Sequence, residues 1–237
     1  LPRFFVDTPL AAPGELALPP GAARHVQVLR LQPGDALTLF DGSGPEWQAE
    51  VTAMGRSEVR VRLLEPTQPQ RELARAITLA VVMPANDRMD FLVEKATELG
   101  AAALQPLVAE RSVLRLAGER ADKKRAHWQG VAIAAAEQSG RTVPTHIAPV
   151  MPLSAWLAAL PPAGDDEWRG LLSPRAAQPL AAFAQQRALF LSGSEGGLSD
   201  AEEDAARARG FAAVSLGPRI LRADTAPLAV LSWLALS

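Results

Sequence analysis

The chain has 237 residues, 48% of them hydrophobic and 21% charged, with a net charge of −2. This length and balance suit one large globular domain or two modest ones, and no apolar run reaches membrane-spanning length. Cysteine is absent, which excludes disulfides, thiolate metal sites and a cysteine nucleophile. His25, His127 and His146 lack metal-ligand spacing, so no metal is expected. No basic segment leads into a long apolar stretch at the N-terminus, and a cytoplasmic protein is expected. The slight negative charge argues against gripping nucleic acid by bulk charge but leaves room for a local patch. Of the 24 basic residues 21 are Arg, the cation suited to bidentate phosphate contacts, although abundant Ala and Pro point more to composition bias.

In chain order, short apolar runs come first. Arg3–Val6, His25–Arg30 and Asp35–Phe40 are separated by turn signals. The turn Asp41-Gly42-Ser43-Gly44 leads into Trp47–Thr52, and Val59–Leu64 alternates apolar with charged residues. This spacing predicts a small, mostly β barrel. Glu65–Arg71, with two prolines, reads as a linker. The chain should therefore divide near residues 66–76, into 1–70 and 71–237.

The second part alternates strands and helices. Ile77–Met83 is apolar but for Thr78, as for a strand covered on both faces. Asn86 or Asp87 can cap a helix carrying Met89, Leu92, Val93, Ala96 and Leu99 at helical spacing, with Gly100 at its C-terminal cap. Ala102–Val108 reads as a strand and Asp122–Gln138 as a long helix. Strands follow near Gly170–Ser173, Ala188–Ser192 and Ala213–Leu216, and a helix from Thr225 to Leu236 closes the chain. This is an α/β sheet domain.

The last fifty residues carry the clearest functional signal. Two apolar runs break into small residues, Leu191-Ser192-Gly193-Ser194-Glu195-Gly196-Gly197 and Leu216-Gly217-Pro218-Arg219-Ile220-Leu221-Arg222. Each then meets a helix start: Ser199 with Glu202 forms a capping box, and Asp224 or Thr225 precedes Pro227. Together with Leu171-Leu172-Ser173-Pro174, these loops offer backbone groups with little side-chain obstruction, where ligands bind in open parallel sheets. Such a surface could read adenine by its edge and enclose a mostly apolar cofactor. There is no P-loop, no Gly-x-Gly-x-x-Gly and no nucleophile elbow. On spacing alone, Gly193, Gly196 and Gly197 serve a tight turn as well as a ligand.

In order, Arg3-Phe4-Phe5, His25 with Val28-Leu29-Arg30, Gly34-Asp35, Asp41-Gly42, Glu94–Gly100 and Arg111-Ser112 form one series of motifs. Ala136-Glu137-Gln138-Ser139-Gly140-Arg141 with Pro144, Glu195-Gly196-Gly197 and Leu216–Arg222 complete it. With this series the chain resembles, nearly end to end, the RsmE family of ribosomal RNA uridine-N3 methyltransferases in the SPOUT superfamily. The resemblance implies a PUA-like N-terminal β-barrel that binds RNA, and a C-terminal SPOUT α/β domain with a deep trefoil knot. It also implies a homodimer, S-adenosylmethionine (AdoMet) as cofactor, and methylation of uridine N3 in 16S ribosomal RNA of the small ribosomal subunit. It places the cofactor on Leu172, Ser173, Leu191, Ser192, Gly193, Ser194, Glu195, Gly196, Gly197, Leu216, Gly217, Ile220, Leu221, Thr225 and Ala226.

Three positions depart from the family pattern: Ser194 replaces a Pro, Asp224 replaces a Glu, and Ala85 replaces a common Lys. They leave open an RNA-binding relative with no catalytic activity, or with a different methylation target. For the chemistry, Arg222 can stabilise charge developing on the uracil and Asp224 can accept the imide proton, although Asp224 also reads as a helix cap. For RNA the candidates are Arg3, Arg24, His25 and Arg30 in the barrel, and Arg111, Arg115 and Arg141 beyond it.

Overall fold

A computed structural model describes residues 1–85, 87–176 and 178–237. The chain forms two compact units, residues 1–72 with 136–144, and residues 73–135 with 145–237.

The first unit holds β1 (Arg3–Phe5), β2 (Gly14–Ala17), α1 (Pro20–Val28), β3 (Ala36–Phe40), β4 (Glu46–Met54) and β5 (Val59–Thr67). They form one five-stranded sheet, ordered β1-β3-β4-β5-β2, in which only β1 and β3 run parallel. Val59, Val61 and Leu63 point into a core shared with Leu37, Leu39, Val51 and Trp47, while Arg62 between them and Leu64 after them face out. That period of two is what the sequence displayed.

Two local expectations change. His25–Arg30, read as one of the strand-like runs, belongs to a helix and its end. Pro20 sits in the first turn, and Ala22, Ala23 and Val26 put a buried stripe over the sheet. The helix ends with Arg30 in the left-handed region (φ 56°), where Leu31 N–H reaches back to Val26 O. The supposed linker also begins later, because β5 continues through Pro66 beside a register shift opposite Trp47 and Ala49. The edge strand β2 gave no recognisable alternation.

The second unit comprises β6 (Ala76–Val82), α2 (Asp87–Glu98), β7 (Ala103–Val108), α3 (Gly118–Ser139, counted with the first unit from Ala136 on), β8 (His146–Ile147), β9 (Met151–Pro152) and α4 (Leu153–Ala159). It continues with β10 (Glu167–Leu172), β11 (Arg187–Ser192), α5 (Asp200–Ala208), β12 (Ala212–Val214) and α6 (Thr225–Leu236). All its strands are parallel, in the order β12-β10-β11-β6-β7-β8, with β9 also on β7. Each face has its own core. Ile77, Leu79, Val81 and Phe190 pack with Leu92, Trp128 and Leu231 on one side. Ala80, Val82, Leu189 and Leu191 pack with Trp156, Leu157 and Phe211 on the other. Burial on both faces is why these strands read as unbroken apolar runs.

Gly100 closes α2 at φ 98°, with Ala101 N–H bonded to Ala96 O. Asp87 is the first residue of that helix; Asn86 lies outside the described residues. The chain winds from β6 outward to β8, then returns to build β10, β11 and β12 on the far side of β6. The reversal puts a topological switch point between β6 and β11.

Candidate cofactor site and RNA-contact residues

At the carboxyl ends of β10, β11 and β12 the second unit holds a cavity of about 510 Å³. Its floor is the loop after β11. Gly197 (φ 68°) closes a turn in which its N–H bonds Ser194 O at 2.9 Å. A Cβ on Gly193 would stand 3.1 Å from the Gly197 carbonyl carbon, and one on Gly196 would stand 3.0 Å from Arg111 Cβ and 3.1 Å from Arg111 O. Close packing of the loop on itself and on Arg111 therefore accounts for those two glycines. The loop leads into α5 through the expected capping box, with Ser199 Oγ accepting from Glu202 N–H and Glu202 accepting from Ser199 N–H at 2.9 Å.

Of the residues assigned to the cofactor, Leu172, Ser192 through Gly197, Ile220, Leu221 and Ala226 line this cavity, as does Arg222. Ser173, Leu191, Leu216, Gly217 and Thr225 do not line it. Leu191 is wholly buried in a core, and Leu216 packs against the other. Gly217 (φ 109°) turns the chain on Ser215, whose hydroxyl accepts from its N–H. Thr225 begins α6 on the surface. Pro174, at the end of the first candidate loop, is on the wall; sequence reasoning missed Arg175, Leu198, Glu203 and Ala223 there, and read Arg111 only as an RNA contact. A single acid in a helix that already uses Glu202 as a cap carries no sequence signal.

The acids divide by position. Glu195 Oε1 accepts from Ala85 N–H at 3.2 Å, tying the β6–α2 loop to the cofactor loop. Asp224 occupies the N-cap position of α6 but makes no side-chain cap. Its carboxylate instead accepts from Arg88 Nη1 at 3.2 Å and lies off the cavity wall. The Ser192 hydroxyl, 3% exposed, lines the cavity without a hydrogen-bond partner.

In the first unit, Arg3 and Arg141 are held by intramolecular partners. Arg3 pairs with Glu46, donates to Gly140 O and Arg141 O, and lies over the Phe40 ring. Arg141 is buried and salt-bridged to Glu72 at 2.6 Å. Burial pushes the Glu46 carboxyl up, but Arg3 and Arg71 outweigh it and hold the group below its usual range. Burial pushes the Glu137 carboxyl above its usual range, against the Phe5 N–H it accepts and the charges of His25 and Arg3. Arg24, His25 and Arg30 are exposed, beside the exposed Val28 and Leu29. In the second unit, exposed Arg115 donates to Glu110 O. Among the described residues there is no cluster suited to a metal ion, and no helix is long and apolar enough to cross a membrane.

Residues 71–235 match an RNA methyltransferase domain and residues 18–64 an RNA methyltransferase PUA domain. The chain is 35% identical over 212 residues to the ribosomal RNA small subunit methyltransferase E of Synechocystis, covering 87% of this chain and 67% of that protein. It is 32% identical to the Bacillus subtilis protein of the same name, covering 87% and 84%. A crystal structure of the Neisseria gonorrhoeae ribosomal RNA small subunit methyltransferase E, bound to S-adenosyl methionine, superposes with a TM-score of 0.91 at 34% identity, covering 100% of this chain and 97% of that one. A likeness of sequence and fold that extends over both units places this chain in the ribosomal RNA small subunit methyltransferase E family.

Proposed function

We propose that the protein transfers a methyl group from AdoMet to N3 of a uridine in 16S ribosomal RNA of the small ribosomal subunit. The observation that carries this reading is the cavity at the carboxyl ends of β10, β11 and β12, where a buried Ser192 hydroxyl lacks a partner among the described residues. A buried polar group without a partner is costly, and a cofactor hydroxyl, amine or carboxylate would satisfy it. Apart from the charged Arg111, Arg175, Glu195, Glu203 and Arg222, the wall is backbone and small or aliphatic side chains, suited to an adenosine held by its edge. Leu172, Ser192–Gly197, Ile220, Leu221 and Ala226 would hold AdoMet, which supplies an electrophilic methyl group on its sulfonium.

Uridine N3 carries a proton at neutral pH, and its loss leaves negative charge on O2 and O4. Arg222, on the cavity wall and exposed, is the cation we assign to that charge. Asp224 is a weaker candidate for the proton than its position in the sequence suggests, because its carboxylate is engaged by Arg88. We assign it to holding the start of α6, and with it the Arg222 loop, while the proton leaves to water.

Four further features belong to the same reading. The three C-terminal loops form a deep trefoil knot of the SPOUT kind. Two copies pair through α6, whose Trp233 and Leu236 are exposed. The barrel, residues 1–70, meets RNA through Arg24, His25 and Arg30, and the 71–237 domain adds Arg111 and Arg115. The protein works in the cytoplasm, where its substrate is made. Mass spectrometry of 16S ribosomal RNA from a deletion strain tests the function. Loss of one N3-methyluridine is expected, and an intact methylation pattern would leave an RNA-binding protein or another target.

A further inference from the structure

The cavity contains a buried acid that the proposed reaction does not use. Glu203 follows the capping residue Glu202 in α5, so its side chain leaves the helix about 100° further round. It faces the cavity, and its side chain is 8% exposed, whereas that of its neighbour Asp200 is 84% exposed. A carboxylate withdrawn from water this far needs partners. Glu203 Oε1 accepts from Ser173 Oγ at 3.1 Å and from Arg175 Nη2 at 2.9 Å, and Oε2 accepts from Arg207 Nη2 at 3.3 Å. The other terminal nitrogen of Arg175 pairs with Asp200, and Arg175 N–H approaches Ser173 Oγ at 3.3 Å.

Two of these partners, Ser173 and Arg175, lie immediately after β10, where the chain leaves the sheet. With Pro174 between them they form the segment that turns along the cavity, and Pro174 and Arg175 line it. Further on, this segment is fastened by backbone bonds to the end of β12, Ser215 N–H to Gln178 O at 2.7 Å and Leu180 N–H to Ser215 O at 3.1 Å. Among the described residues its attachment to α5 is by side chains. The two acids hold the Arg175 proton more tightly than usual, on a guanidinium that is charged at physiological pH in any case. Arg175 is itself half exposed, so water and salt can reach that arm of the cluster.

We propose that Glu203 is a positioning residue of the cofactor site, and that its ion pair with Arg175 is a latch joining the β10 loop to α5 across the cavity. Closed, it holds Pro174 and Arg175 against the bound cofactor. Open, it frees that wall for cofactor to enter and product to leave. The proposal rests on AdoMet occupying this cavity, and it predicts a specific coupling. Arg175 and Glu203 act as one unit, so removing either removes the latch, and removing both does no further harm.

The test measures AdoMet affinity by calorimetry and dissociation by stopped-flow displacement, on the full chain. The proteins are the parent, Glu203→Gln, Arg175→Met and the double variant. Glu203→Gln keeps an oxygen for Ser173 and loses only charge. Each single variant should bind about tenfold more weakly, through faster dissociation, and the double variant by about the same tenfold instead of a hundredfold. In the parent, dissociation should quicken as salt rises, because the Arg175 arm is open to solvent. Parental affinity in Glu203→Gln, multiplying losses in the double variant, or a dissociation rate indifferent to salt would each overturn the latch. Multiplying losses would mean that Arg175 touches the cofactor independently of Glu203. Absence of AdoMet binding by the parent would instead bring down the cofactor reading, and the latch with it.

Discussion

Gly196 shows how a single residue's role depends on what lies beside it. Its φ is not in the left-handed region; it is small because Arg111 occupies the space a side chain would need. Replacing it by Val should push the floor loop away from Arg111 and into the cavity. We expect AdoMet affinity to fall by at least about tenfold in a folded protein, a loss of some 1.4 kcal/mol or more, read by calorimetry beside a thermal melt. Arg222 and Asp224 stand two residues apart, yet one lines the cavity and the other is turned to Arg88. Removing a group that stabilises transition-state charge typically costs two to three orders of magnitude in rate. Single-turnover methylation should therefore fall about 100-fold or more in Arg222→Met and by less than about tenfold in Asp224→Asn. The reverse order would restore Asp224 as the proton acceptor.

At the scale of elements, α1 and the 136–144 segment explain where the first unit takes its charge balance. Glu137, in the last turn of α3, accepts the backbone N–H of β1 at Phe5 while half buried beside His25 and Arg3. Its raised pKa sets the sign of a pH effect. Below the ordinary carboxylate pKa the group is protonated both folded and unfolded, and adds nothing to the pH dependence. As pH rises through the window between the ordinary and the raised value, the unfolded chain releases the proton first and the folded state loses stability. Above both values the deficit is complete. Glu137→Gln keeps the acceptor for Phe5 and removes that titration. Chemical denaturation should find the variant no more stable than the parent at low pH, and gaining on it as pH rises through the window. A constant difference across the window would show that Glu137 does not titrate there. Glu46 acts oppositely: its depressed pKa contributes stability above the ordinary carboxylate value, lost as pH falls through the depressed one.

For the whole molecule, charge is too evenly balanced to hold RNA at large. Residues 1–75 carry eight basic and nine acidic side chains; one of these cations, Arg3, is committed to Glu46, and Arg141, beyond that stretch, is committed to Glu72. Arg24 and Arg30 are exposed in the first unit and are among the local contacts proposed above. Arg30 also sits at φ 56°, a conformation that costs any residue with a Cβ and that glycine adopts freely. Its side chain thus carries a backbone cost that an RNA contact would explain. Arg30→Gly should leave stability unchanged or raise it by up to about 1 kcal/mol, while weakening RNA binding. Combined with Arg24→Ala it should lower the salt dependence of RNA binding by roughly two counterions without touching AdoMet affinity. A parental salt slope in the double variant would remove this face from the RNA contact. Light scattering checks the pairing of copies through α6, with a dimer expected at micromolar concentration.

The sequence by itself determined the parts governed by local periodicity and capping. Two-sided burial showed in Ile77–Met83, the capping box at Ser199 and Glu202 formed as written, and Gly100 ended α2 at the expected place. The small-residue loops after β11 and β12 were legible because broken apolar runs mark strand ends, and most of their residues line the cavity. Tertiary structure alone decided what depends on residues far apart in the chain. It made His25–Val28 helical, because Ala22, Ala23 and Val26 found a sheet to cover. It turned Asp224 to Arg88, Arg141 to Glu72 and Glu203 to Ser173 and Arg175, across separations of 136, 69 and about 30 residues. A charged side chain takes the partner the folded backbone brings within reach. Neither its own identity nor its immediate neighbours specify that partner.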